Sequence, residues 1–135
     1  MMERVFVDTS AFYAVMDRSD RLHAEAARNF AALLEGEFEL ITTNYVVLET
    51  VALIQSRLGF EAAKLWTQRI LGIVQVHFVD EPLQEMAFNL WLGLASRQVS
   101  LVDCASFVFM RRAGLEEAFA FDGDFEKQGF RIFRA

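Results

Sequence analysis

Cysteine, proline, histidine and lysine are nearly missing from this chain. Of its 135 residues, one is Cys, one is Pro and two are His. The lone Cys104 excludes an internal disulfide and suits a reducing cytoplasm. It lies within a predicted helix and reads as core filler rather than a nucleophile. Neither His23 nor His77 has a neighbour that would make a catalytic pair, so both read as structural or surface residues. Lysine occurs only at Lys64 and Lys127, and every other cation is Arg, a residue suited to bidentate phosphate contacts. The longest uncharged runs, 70–79 and 86–96, fall well short of the ~20 residues that span a membrane. The first residues show no secretory apolar segment, and the expected location is cytoplasmic. No Gly-x-Gly or Walker motif is present, which leaves nucleotide binding by a Gly-rich loop without support.

What remains is apolar and acidic. Hydrophobic residues make up 54% of the chain, 14 of them Phe, and the net charge is −6. That charge opposes broad attraction to nucleic acid. Acids gathered round a metal, however, do not repel a phosphate as free ones would. The apolar excess implies either an unusually complete core or a face left for a partner.

The pattern predicts one α/β domain over 1–135. Apolar, β-branched or aromatic runs at 4–8, 38–42, 74–79, 118–121 and 130–133 read as strands. Helices are predicted at 9–16, 21–34, 45–58, 61–71, 80–96 and 100–113, with a turn and short helical piece at 122–128. Their starts carry capping residues such as Asp20, Thr43 and Ser100, and Gly36, Gly59, Gly72 and Gly114 stop them. Strands alternating with helices or helix pairs imply a parallel sheet covered on both faces.

Four acids stand in apolar surroundings: Asp8, Glu49, Asp103 and Asp122. Singly, three have ordinary explanations. Asp8 is placed to cap a helix, Asp103 to close a capping box with Ser100, and Asp122-Gly123 to form a tight turn. Glu49 differs, because its helical neighbours Tyr45, Val46, Ala52 and Leu53 predict a buried carboxylate with no intrahelical partner. As a set, two acids end apolar strands and a third opens the helix leading to the second strand. Neighbouring strands at a switch point would share one crevice at their carboxyl ends. Clustered carboxylates need a hard cation, and oxygen-only ligands suit Mg²⁺ or Mn²⁺.

Val5-Phe-Val-Asp8-Thr9-Ser10, Asn44-Tyr-Val-Val-Leu-Glu49, Ser100-Leu-Val-Asp103-Cys-Ala-Ser-Phe and Phe121-Asp122-Gly-Asp124-Phe-Glu-Lys-Gln-Gly129-Phe130 resemble the motifs of PIN-domain ribonucleases. Within that family the chain is most similar to the VapC toxins of toxin–antitoxin pairs. The resemblance runs over essentially the whole chain. It implies a three-layer fold with a parallel sheet of order 3-2-1-4-5 and a Mg²⁺- or Mn²⁺-dependent endoribonuclease leaving 5′-phosphate and 3′-hydroxyl ends. By position it makes Asp8, Glu49, Asp103 and Asp122 the catalytic acids, with Asp8, Asp103 and Asp122 on the metal. Asp124 becomes an auxiliary acid, and the hydroxyl of Thr9 or Ser10 helps place the metal or its water. It also implies a homodimer and a small antitoxin laying a segment across an apolar groove, which would account for the Phe content. Ala120 departs from the family, which often has Thr or Ser there.

Competing readings are a PIN-like module that binds RNA or protein without cutting, and a housekeeping RNA-processing nuclease. A calcium loop at 122–133 fails, since Lys127 replaces the required Gly and Phe133 the final Glu. Tyr45, Trp66 and Trp91 are able to stack on bases, but core packing is the expected role for most of them.

Overall fold

The computed structural model describes residues 2–135. Five parallel strands lie in the order β3-β2-β1-β4-β5. They are β1 (Glu3–Val7), β2 (Phe38–Thr43), β3 (Gln75–His77), β4 (Glu117–Phe119) and β5 (Arg131–Ile132). Seven helices flank them: α1 (Thr9–Met16), α2 (His23–Glu35), α3 (Asn44–Leu58), α4 (Phe60–Arg69), α5 (Glu81–Leu94), α6 (Leu101–Ala113) and α7 (Asp124–Lys127). The chain steps outward from β1 to β3 and then returns past β1 to β4. Right-handed crossovers in opposite directions put their helices on opposite faces. The reversal falls between β1 and β4, which is where such sheets open a crevice.

The central strand is apolar on both faces because both faces are covered. Val5, Phe6 and Val7 are fully buried. Phe6 packs against Phe109 and Phe125, and Phe107 meets Phe125 edge-on at 4.9 Å. Eight Phe residues are buried, at 6, 12, 107, 109, 119, 125, 130 and 133, while only Phe60, Phe78 and Phe88 are strongly exposed. The Phe excess therefore goes largely to the core, one of the two alternatives the composition left open, more than to the partner's groove the resemblance implied.

Several element ends differ from the sequence expectation. β4 stops at Phe119 rather than 121. The Phe121 N–H lies beyond the end of β1, where no strand carbonyl faces it, and it bonds the Ser10 hydroxyl at 2.9 Å instead. α2 starts at His23 rather than 21, because Asp20 accepts from Leu22 N–H in a preceding turn. α5 stops at Leu94, closed by Ala95 in the left-handed region at φ 48°. Trp66 is wholly buried as expected, whereas Trp91 keeps 39% of its surface in solvent.

Candidate metal centre

Asp8 follows the last residue of β1 and is the N-cap of α1. Its Oδ2 accepts from the Ser10 N–H at 3.2 Å and the Ser10 hydroxyl at 2.7 Å. The other oxygen, Oδ1, is buried with no hydrogen-bond partner among the described residues. A carboxylate oxygen stripped of water and left unpaired is costly unless a cation or proton meets it. Burial accordingly pushes the Asp8 carboxyl up to about 6; Ser10 opposes this and the charges of Glu49 and Asp122 add to it.

Ser10 does double duty. Its hydroxyl donates to Asp8 and accepts from Phe121 N–H, so one side chain ties the end of β1 to the loop carrying Asp122. The Asp8 N–H continues the ladder to the Phe119 carbonyl at 3.1 Å. Thr9 turns elsewhere. Its buried hydroxyl contacts the Val46 carbonyl at 3.4 Å and the Thr50 hydroxyl at 3.1 Å, both on α3.

Asp103 and Ser100 form the reciprocal capping box of α6, with each side chain on the other's N–H at 3.0 Å. Asp103 is 7% exposed, and its carboxyl is pushed up to about 6, first by burial and then by the charges of Asp8 and Glu49. Asp122 accepts from Asp124 N–H at 3.0 Å in the turn before α7. Its carboxyl also rises to about 6, chiefly through burial, with the Asp124 carboxyl and the Asp103 charge contributing. Asp103, Asp122 and Asp124 each bring a carboxylate oxygen within 4.8 Å of the others. The capping and turn roles read from the sequence are thus real, and the same geometry aims the carboxylates at one another.

Glu49 reaches the cluster from α3, close enough for its charge to act on both Asp8 and Asp103. It is only half-buried, which corrects the expectation of a buried carboxylate. The buried stripe of α3 is Val46, Thr50 and Ile54, while Ala52 and Leu48 lie in solvent. The carboxylates that meet within 4.8 Å are those of Asp103, Asp122 and Asp124, with Asp8 outside that group, whereas the resemblance set Asp8, Asp103 and Asp122 on the metal and made Asp124 an auxiliary acid. Thr50 was not singled out by the sequence, since a Thr inside an apolar helix carries no pattern that separates it from filler.

The donor set fits a hard divalent cation. The ligand atoms that converge, on Asp103, Asp122 and Asp124, are all carboxylate oxygens, and Asp8, which interacts electrostatically with Asp103 and Asp122, keeps a buried oxygen without a partner. A cavity of about 530 Å³ lies at the opposite end of β4 and β5, and none of these acids lines it. Its cations are already engaged, Arg111 by Gln128 and Arg131 by Glu116. No helix among the described residues is long and apolar enough to cross a membrane.

A parallel sheet with a switch-point crevice lined by acids is the plan of a PIN domain. The chain belongs to the PIN-domain family, whose model matches residues 5–131. A curated relative, the 23S rRNA-specific endonuclease VapC20 of Mycobacterium tuberculosis, is 36% identical over 127 residues, covering 93% of this chain and 95% of its own. The crystal structure of that toxin, described as cleaving the sarcin–ricin loop, superposes with a TM-score of 0.86 at 35% identity, covering 97% of this chain and 99% of the other. DNA-bound VapBC of Salmonella typhimurium shares the fold at a TM-score of 0.69 and 13% identity, covering 98% of each chain.

Proposed function

We propose that this protein is a divalent-metal-dependent endoribonuclease that hydrolyses a phosphodiester bond of ribosomal RNA, and that it is the toxin of a toxin–antitoxin pair. The observations that carry this reading are the Asp8 carboxylate, buried at a strand end with one oxygen unpaired and under the charges of Glu49 and Asp122, and the convergence of Asp103, Asp122 and Asp124. Identity to a 23S rRNA endonuclease over nearly the whole of both chains supports the substrate class. Mg²⁺ or Mn²⁺ is the proposed ion, held by Asp8, Asp103 and Asp122 with Asp124 as an auxiliary acid.

When bound, such an ion supplies a water of lowered pKa and neutralises charge on the phosphoryl oxygens. The chain does the placing. Ser10 holds Asp8 by Oδ2 and leaves Oδ1 free for a ligand, and Ser100 holds Asp103 against the mouth of α6. The Asp124 N–H orients Asp122. Glu49 acts on Asp8 and Asp103 from α3 through its charge and would add to the field that draws the ion.

The remaining parts of this reading are one domain over 1–135, a cytoplasmic location, a homodimer and a cognate antitoxin. Exposed apolar side chains support protein partners: Leu48, Phe60 and Leu65 on α3 and α4, and Phe88, Trp91 and Leu92 on α5.

The test is incubation of the purified protein with 23S rRNA. Cleavage leaving 5′-phosphate ends is expected with Mg²⁺ or Mn²⁺ and none with chelator. Asp8→Asn, which keeps the helix cap, should lower the rate by at least about a hundred-fold. Cleavage that persists in chelator, or full activity of Asp8→Asn, would overturn the reading in favour of a binding module.

A further inference from the structure

Three of the clustered carboxylates are held individually. Ser10 grips Asp8, Ser100 grips Asp103, and the Asp124 N–H grips Asp122. Glu49 accepts no hydrogen bond among the described residues, so its position depends on where α3 stands. Immediately beside it, Thr50 is 0% exposed and donates to the hydroxyl of Thr9 at 3.1 Å. Thr9 in turn donates to the Val46 carbonyl, one helical turn before Thr50.

A helix Thr commonly bonds the carbonyl four residues back on its own helix. Here that carbonyl, Val46 O, takes the Thr9 hydroxyl, and the Thr50 hydroxyl reaches across to α1. The chain Thr50 → Thr9 → Val46 therefore bolts α3 to the residue that follows Asp8. Neighbouring helix positions are about 100° apart, so turning Thr50 into the core sends Glu49 along the flank toward Asp8 and Asp103.

We infer that Thr50 is a positioning residue of the acidic site, its hydroxyl bond to Thr9 fixing the rotation and height of α3 and hence the place of the Glu49 carboxylate. This rests on the reading that the acids hold a divalent cation for RNA cleavage. A methyl pair would fill the same volume. Two hydroxyls in line add direction, which is what an otherwise unsupported carboxylate needs.

The experiment compares wild type, Thr50→Val and Thr50→Ser by Mn²⁺ calorimetry and by the rate of rRNA cleavage. Thr50→Val keeps shape and loses the donor. Its kcat should fall and its Mn²⁺ dissociation constant rise, each about ten-fold, with KM for RNA little changed. Thr50→Ser should restore both. In a Glu49→Gln background Thr50→Val should cost little more, because the latch acts through Glu49. If Thr50→Val does not fold, Thr50→Ala against Thr50→Ser carries the same comparison.

Wild-type behaviour of Thr50→Val, equal damage by Thr50→Ser, or a full additive loss on Glu49→Gln would each overturn the latch alone. A wild-type protein that neither binds Mn²⁺ nor cuts RNA would remove the earlier reading, and the latch with it.

Discussion

At the scale of single residues, the crevice trades fold stability for a charge it needs only when loaded. Asp8, Asp103 and Asp122 keep their protons to about pH 6 in the folded chain, against 3.8 for an ordinary Asp. Between those values the folded state binds more protons than the unfolded one, so metal-free stability must fall as pH rises through the window. For Asp8 alone the loss is on the order of 3 kcal/mol. Asp17 and Asp80, whose carboxyls lie below the ordinary value, add a slope of opposite sign only at the lower edge of this window, where the unfolded carboxyls still hold protons. Melting in chelator should therefore give a lower midpoint at pH 7.5 than at pH 4.5, with a shallower slope in Asp8→Asn. A midpoint that climbs with pH would contradict the assignment. With Mn²⁺ present the stabilisation should grow over the same interval, because only the ionised carboxylates bind the ion. Asp8 and Asp122 were legible in the sequence because each follows an apolar strand run. The exposure of Glu49 was not, since helical spacing cannot tell an apolar face that meets the core from one left in solvent. Ala52, one of the helical neighbours from which burial of Glu49 was expected, lies in solvent.

At the scale of elements, helix starts were read well and strand ends poorly, for one reason. A cap is local: Asp8, Thr43, Asp80 and Ser100 each bond an N–H two or three residues on, and the sequence displays both ends of that bond. A strand end depends on a distant partner, as when the Phe121 N–H finds Ser10 across the sheet. The α6 capping box joins helix stability to the site, because the Asp103 that closes it also faces the other acids. Ser100→Ala should lower unfolding free energy by about 1 kcal/mol in denaturant titration. It should also weaken Mn²⁺ binding, and a stability loss with unaltered metal affinity would separate the two roles.

At the scale of the whole molecule, most of the Phe content went inward, yet one face of α5 still presents Phe88 at 40%, Trp91 at 39% and Leu92 at 65% exposure. A monomer rarely leaves such a face bare. Placing the homodimer contact there, Leu92→Glu should shift the protein toward monomer in light scattering while cleavage chemistry survives in each crevice. An unchanged mass would move the contact to another face. The sheet order was read through family resemblance. From residues alone the alternation of strands and helices gave a parallel sheet, while the order of strands lies in contacts far apart in sequence.

The central claim is that acids from separated stretches converge to hold a hard cation, and Mn²⁺ titration calorimetry of wild type and Asp8→Asn at pH 7.5 tests it most directly. Saturable binding by wild type, largely lost in an equally well-folded Asp8→Asn, is the predicted result. Equal binding by both proteins, or none by wild type, would contradict it.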